Sequence, residues 1–105
     1  MSRHEFEFSV AAGHPSLAGH FPGNPVVPGV LLLDRVIGAL HQSTGLSVTG
    51  LKQVKFVSTL LPGEIAHGYW DVAAPLCTFR VCAQRDGADV KVAEGAGIIT
   101  AEVLR

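Results

Sequence analysis

The sequence predicts a single α+β domain in which an antiparallel β-sheet curls around one long helix. Three observations carry this. An apolar segment opens behind Pro28 and runs at helical length from Gly29 to Gln42. From Leu46 onward the chain changes to strand-like pieces separated by Gly, Pro and Asp-Gly turns. The chain has 105 residues, enough for one hydrophobic core and too few for two, so residues 1–105 are read as one unit.

The elements follow in order. Phe6, Phe8 and Val10 alternate with Glu5, Glu7 and Ser9, the period of a half-buried strand near residues 4–10. Four glycines and four prolines between Gly13 and Gly29 give turns and irregular backbone, and a loop this long in a small domain is often functional. Pro28 fixes a favourable φ and lacks the N–H that a first helical turn leaves unpaired. In the helix over residues 29–42, Leu32, Leu33, Val36, Ile37, Ala39 and Leu40 cover most of the circumference, as expected of a helix enclosed by other structure.

"LSVTGLKQVKFVSTLLPGE" then reads as one long strand, or as two broken at Gly50, closed by a turn at Pro62 and Gly63. "AHGYWDV" and "LCTFRVCAQ" are strands on either side of a corner at Ala73 to Pro75. A hairpin turn falls at Asp86 and Gly87, and "VKVAEGAGIITAEV" is a last strand whose glycines predict a bulge or bend.

Composition narrows the function. Eight basic and nine acidic residues give a formal charge of -1, and the basic ones are scattered, which argues against nucleic acid as a partner. The longest apolar run, Val30 to Leu33, is far short of a membrane span, and the N-terminal MSRHEFEF has no apolar signal core, so a cytoplasmic protein is expected. Apolar residues make up 48% of the chain and charged residues 16%, so much surface must be buried, with a subunit interface as a natural outlet. Cys77 and Cys82 lie five apart in a strand and therefore on opposite faces, unsuited to a disulfide or a metal pair. Cys77, in step with Phe79 and Val81, is read as a buried structural thiol.

Chemistry concentrates in "GHFPGNPVVPGVLLLD", Gly19 to Asp34. On residue type alone His20 is either a loop histidine or a base. Asp34 interrupts an apolar helix, with only Val30 and Gly38 one turn away, so no cation on its own face neutralises it. An acid sealed into such a helix would be held in its protonated form, which suits a general acid, whereas a hydrogen-bonded acid fixing the loop is the structural alternative. Gly29 opens the helix, where free N–H groups and the dipole can hold an oxygen gaining negative charge, and the missing side chain admits a substrate. A base, an acid and an oxyanion site in sixteen residues suggest proton abstraction beside a carbonyl.

This segment closely resembles the active-site signature of the hotdog-fold 3-hydroxyacyl-[acyl-carrier-protein] dehydratases. "VKFVSTLLPGE" resembles the family's second recurrent segment, and "VAEGAGIITAEV" fits its last strand more loosely. The resemblance implies that His20 is the base removing the proton α to the thioester carbonyl and that Asp34 is the acid that helps the β-hydroxyl leave. Aspartate at that place looks like the hydroxydecanoyl branch, since the other large branch has glutamate. Gly29 matches the glycine whose amide binds the thioester oxygen, with the Phe21 amide assisting.

The resemblance further implies a homodimer with two shared sites, His20 and Asp34 of each site coming from different chains. The substrate would be a thioester of acyl carrier protein or coenzyme A, with no metal or redox cofactor. Leu33 and Phe56 are expected to line the acyl tunnel, and Arg35, Lys52, Lys55 and Arg80 are candidates for receiving an acidic carrier. Two positions depart from the family pattern: Gly38 stands where a glutamine is common, and Arg35 where a small residue usually follows the acid. With the short length, these look like dehydratases of accessory acyl-chain pathways.

Other motifs are set aside. His14 has no partner at zinc-ligand spacing, neither a phosphate loop nor Gly-x-Ser-x-Gly is present, and His4, His41 and His67 read as surface or structural. Pro15, where the R-specific hydratases have aspartate, disfavours that relative. Two alternatives to dehydration remain: an acyl-thioesterase, because hotdog thioesterases also use an acid on the central helix, and a non-catalytic acyl- or carrier-binding partner subunit.

Overall fold

The computed structural model describes residues 2–17 and 26–101. Among these, the order is β1 (Ser2–Phe8), a 3-10 turn (Pro15–Leu17), α1 (Gly29–Thr44), β2 (Leu46–Phe56), β3 (Ala66–Ala73), β4 (Leu76–Arg85) and β5 (Ala88–Ala101). The strands form one antiparallel sheet in the order β1-β3-β4-β5-β2. The α+β class is as expected, with the one long helix packed on one face of the sheet.

That face is built by alternation. Trp70 and Val72 of β3, Cys77, Phe79 and Val81 of β4, and Ala93, Gly97 and Ile99 of β5 are buried, while Asp71, Thr78 and Arg80 between them face outward. Trp70 and Phe79 are direct cross-strand partners with ring centroids 5.0 Å apart, and the Trp70 indole N–H donates to the Val36 carbonyl of α1 at 2.8 Å. This bond and the surrounding apolar contact tie the helix to the middle of the sheet. Cys77 is buried and free, and burial pushes its thiol up; Cys82, half-buried, is also free.

The helix differs from expectation in how much of it is covered. Leu32, Val36 and Leu40, spaced by four, are fully buried; Leu33 and Ile37 are half-buried, and Val30, Asp34, Arg35 and His41 are exposed. A single sheet can enclose only one side of a helix, and among the described residues nothing buries the apolar Val30 on the other side. α1 also runs two residues beyond the expected end, closed by Thr44 Oγ1 donating to the Leu40 carbonyl and the Gly45 N–H to that of His41.

Three strand boundaries also move. β1 ends at Phe8, and Val10 is buried beyond it, where its carbonyl accepts from the Gly63 N–H. β2 is one strand across Gly50, with register shifts at Val48/Gly50 and Lys52/Lys55, and stops at Phe56, so residues 57–65 form an irregular segment. The glycines of β5 do not mark the break in its pairing with β4, which falls at Val92; Gly95 instead makes room for Phe79, whose ring lies 2.8 Å from where a Cβ would be. The Asp86-Gly87 hairpin is present, with both residues at positive φ, as a two-residue turn requires.

Candidate active site

The N-terminus of α1 opens into an apolar cavity of about 480 Å³ between the helix, the end of β2 and residues 58–60. Pro28 is the N-cap and gives no side-chain cap; the first helical bond is from Leu32 N–H to the Pro28 carbonyl, at 3.0 Å. The N–H groups of Gly29, Val30 and Leu31 therefore have no intrahelical partner, the condition for holding a developing oxyanion. Gly29, Leu33 and Phe56 all line this cavity within the single chain.

The close approach of Phe56 explains the glycine. A Cβ at residue 29 would lie 2.9 Å from Phe56 Cζ, inside van der Waals contact. Phe56 is 53% exposed, so its ring covers the helix start from the open side. Ser58 and Thr59 bring hydroxyls to an otherwise mostly aliphatic wall.

Asp34 is placed differently. It is exposed rather than buried in its own chain and does not line the cavity. Five residues after Gly29, it lies about 140° around the helix and about 7.5 Å along its axis. His20 and Phe21 lie outside the described residues. Lys52, Lys55 and Arg80 sit on the outward face of the sheet, with Lys55 and Arg80 both opposite Glu94, while Arg35 lies on α1. None of the four lines the cavity itself.

Sequence reasoning missed the wall of the cavity and what holds it. Val27 N–H donates to the Leu60 carbonyl at 2.8 Å, joining the segment before α1 to the segment after β2. Arg85 grips Glu64 with two arms, Nε to Oε2 at 2.6 Å and Nη2 to Oε1 at 2.9 Å, and Nη2 also donates to the Thr59 carbonyl. Glu64 Oε1 accepts from Leu61 N–H at 2.8 Å. The Arg85 hydrogen bonds, more than the Leu61 amide, hold the Glu64 carboxyl below the usual carboxylate range despite its burial. The acid in "LPGE" was visible; its partner, 21 residues on, was not.

The ApeI-like family model, described as ApeI dehydratase, matches residues 1–95. The chain belongs to the ApeI-like dehydratase family. This ApeI-like chain is similar to the 3-hydroxyacyl-[acyl-carrier-protein] dehydratase FabZ of Alkaliphilus metalliredigens, 36% identical over 66 residues, covering 54% of this chain and 45% of that protein. It is 39% identical over 59 residues to the Klebsiella pneumoniae FabZ, covering 56% of this chain and 33% of that protein. The match thus spans less than half the length of these curated relatives. Among solved structures it is similar to the dehydratase heterocomplex ApeI:P from Xenorhabdus doucetiae, with a TM-score of 0.76 and 23% identity over 92% of this chain and 86% of that one. The fold is the hotdog fold that the resemblance led us to expect.

Among the described residues no group of three His, Cys, Asp or Glu side chains is placed to hold a metal ion, and no helix is long and apolar enough to cross a membrane.

Proposed function

We propose that this protein dehydrates a 3-hydroxyacyl thioester, carried on acyl carrier protein or coenzyme A, to the trans-2-enoyl thioester. The observation that carries the reading is the uncapped start of α1 at Gly29, opening beneath Phe56 into an apolar cavity of acyl-chain character. A thioester carbonyl at that amide gains negative charge as its α-proton leaves, and the aligned N–H groups and helix dipole favour that charge.

In this reading His20 takes the α-proton and Asp34 of the partner subunit gives a proton to the β-hydroxyl. The Cα–H electron pair becomes the Cα=Cβ bond, the Cβ–O bond breaks, and the oxygen departs as water. The Gly29 amide, with that of Phe21, stabilises the enolate-like oxygen, and Leu33 and Phe56 contact the acyl chain. The elimination involves no net oxidation and so calls for no redox cofactor.

Two observations support a homodimer with shared sites. Asp34 is exposed and does not line its own chain's cavity, and Val30, one turn before it on the same helix face at the cavity's rim, is 84% accessible. Among the described residues β2 is paired only on its β5 side, an edge that a second copy could extend. We place the reaction in the cytoplasm, with Arg35, Lys52, Lys55 and Arg80 as the cations available to an acidic carrier.

The test is incubation with 3-hydroxyacyl and with saturated acyl thioesters of both carriers. Enoyl product from the first without thiol release from the second is expected. Thiol release with no enoyl product would point to thioester hydrolysis, and binding without turnover to a non-catalytic subunit.

A further inference from the structure

We infer that Arg85 and Glu64 are positioning residues, forming a clamp that sets the cavity wall and, through it, the start of α1. The inference rests on the dehydratase reading for its effect on turnover, but the clamp itself stands on contacts remote from the reacting atoms.

The chain of contacts is continuous. Arg85 ends β4 and is anchored by that strand's pairing with β5. Its guanidinium spans the Glu64 carboxylate and the Thr59 carbonyl, and Glu64 holds the Leu61 amide, so the residues before and after Leu60 are fixed together. Leu60, itself fully buried, accepts from Val27 N–H. Val27 is followed directly by the N-cap Pro28 and by Gly29, so a shift of residues 59–61 moves the amide proposed to hold the thioester oxygen.

Val57 and Ser58 N–H groups both donate to the Val92 carbonyl, while Gly63 N–H donates to the Val10 carbonyl and Gln84 N–H to that of Ile65, so backbone bonds hold both ends of the segment and the clamp fixes residues 59–61 between them. A guanidinium is suited to this task because its planar fork reaches two acceptors at fixed angles, which an ammonium does not. The Arg3–Asp71 pair is also two-armed but lies on the outward face of the sheet, against Tyr69, and provides the comparison.

The experiment compares Glu64→Gln, Arg85→Lys and Asp71→Asn in the full chain, by amide hydrogen exchange at Val27 relative to core amides and by kcat and KM for a 3-hydroxyacyl thioester. Glu64→Gln should raise Val27 exchange about tenfold and lower kcat about tenfold with KM within about twofold, the pattern of a misplaced oxyanion donor. Should Glu64→Gln fail to fold, Arg85→Lys, which keeps the charge but not the fork, should show the same split. Asp71→Asn should leave both Val27 exchange and kcat unchanged. Unchanged Val27 exchange in folded clamp variants, or a kcat no lower than that of Asp71→Asn, would overturn the inference. A wild-type chain with no turnover would contradict the dehydratase reading instead, and Val27 exchange alone would then decide the clamp.

Discussion

The Phe56 ring lies over Gly29 so closely that a methyl group on residue 29 would come within 2.9 Å of Cζ. The contact is with the far end of a half-exposed side chain, which can swing outward. Gly29→Ala should therefore cost little stability, under about 1 kcal/mol by thermal unfolding, because alanine also favours the helix. Turnover should fall about tenfold or more, since the methyl occupies the approach to the amide. A Tm lowered so far that the unfolded fraction at the assay temperature accounts for the lost turnover would place the glycine's role in folding.

Gly38 behaves oppositely. A Cβ there meets nothing within 4 Å, and the residue lies in mid-helix beside the exposed Asp34. Gly38→Ala should stabilise an isolated chain by about 0.5–1 kcal/mol through helix propensity alone. Destabilisation in the assembled protein, read by thermal unfolding at several concentrations, would reveal a second chain packed against this face.

Much of this was legible in the sequence because it depends on local period and turn chemistry. Pro28-Gly29 set the helix start, Asp86-Gly87 the hairpin, and Ala73 to Pro75 the corner between β3 and β4. The signature residues marked Gly29 and Phe56, which the fold does bring into one cavity. The exposure of Asp34 was not legible, because periodicity shows that a helix is apolar all round and not which neighbour covers each side. The Arg85–Glu64 clamp escaped for a related reason: an ion pair between a strand end and a loop has no sequence period. The end of β2 at Phe56 escaped because "VSTLL" is as apolar as the strand before it, and only the capture of two successive amides by the Val92 carbonyl ends the ladder.

Trp70 is the only tryptophan, is fully buried, and donates to Val36 across the helix–sheet contact. Trp70→Phe removes that donor and part of the ring while leaving the Val36 carbonyl to its helical partner. A loss of about 2–4 kcal/mol is expected in denaturant unfolding, combining cavity and hydrogen-bond costs. A change below about 1 kcal/mol would show that the core relaxes around the smaller ring.

Acid should act on the clamp in a defined direction. Glu64 titrates below its ordinary value of 4.5 in the folded chain, chiefly through its hydrogen bonds from Arg85. Between the two values the unfolded chain binds the extra proton, so the clamp's contribution is complete above the ordinary value. It is lost as pH falls through the lowered one. Stability measured from pH 6 downward should fall less steeply in Glu64→Gln than in the wild type. Parallel curves would mean that the carboxylate contributes nothing charge-dependent to folding.

The central claim is that dehydration occurs at a site built from two chains. It is tested most directly by purifying hybrid dimers of His20→Ala and Asp34→Ala chains carrying different tags, and measuring enoyl product. Each variant alone should be inactive, and the hybrid should recover about half the wild-type rate, because one of its two sites holds both groups. Verified hybrids with no more activity than either parent would contradict it.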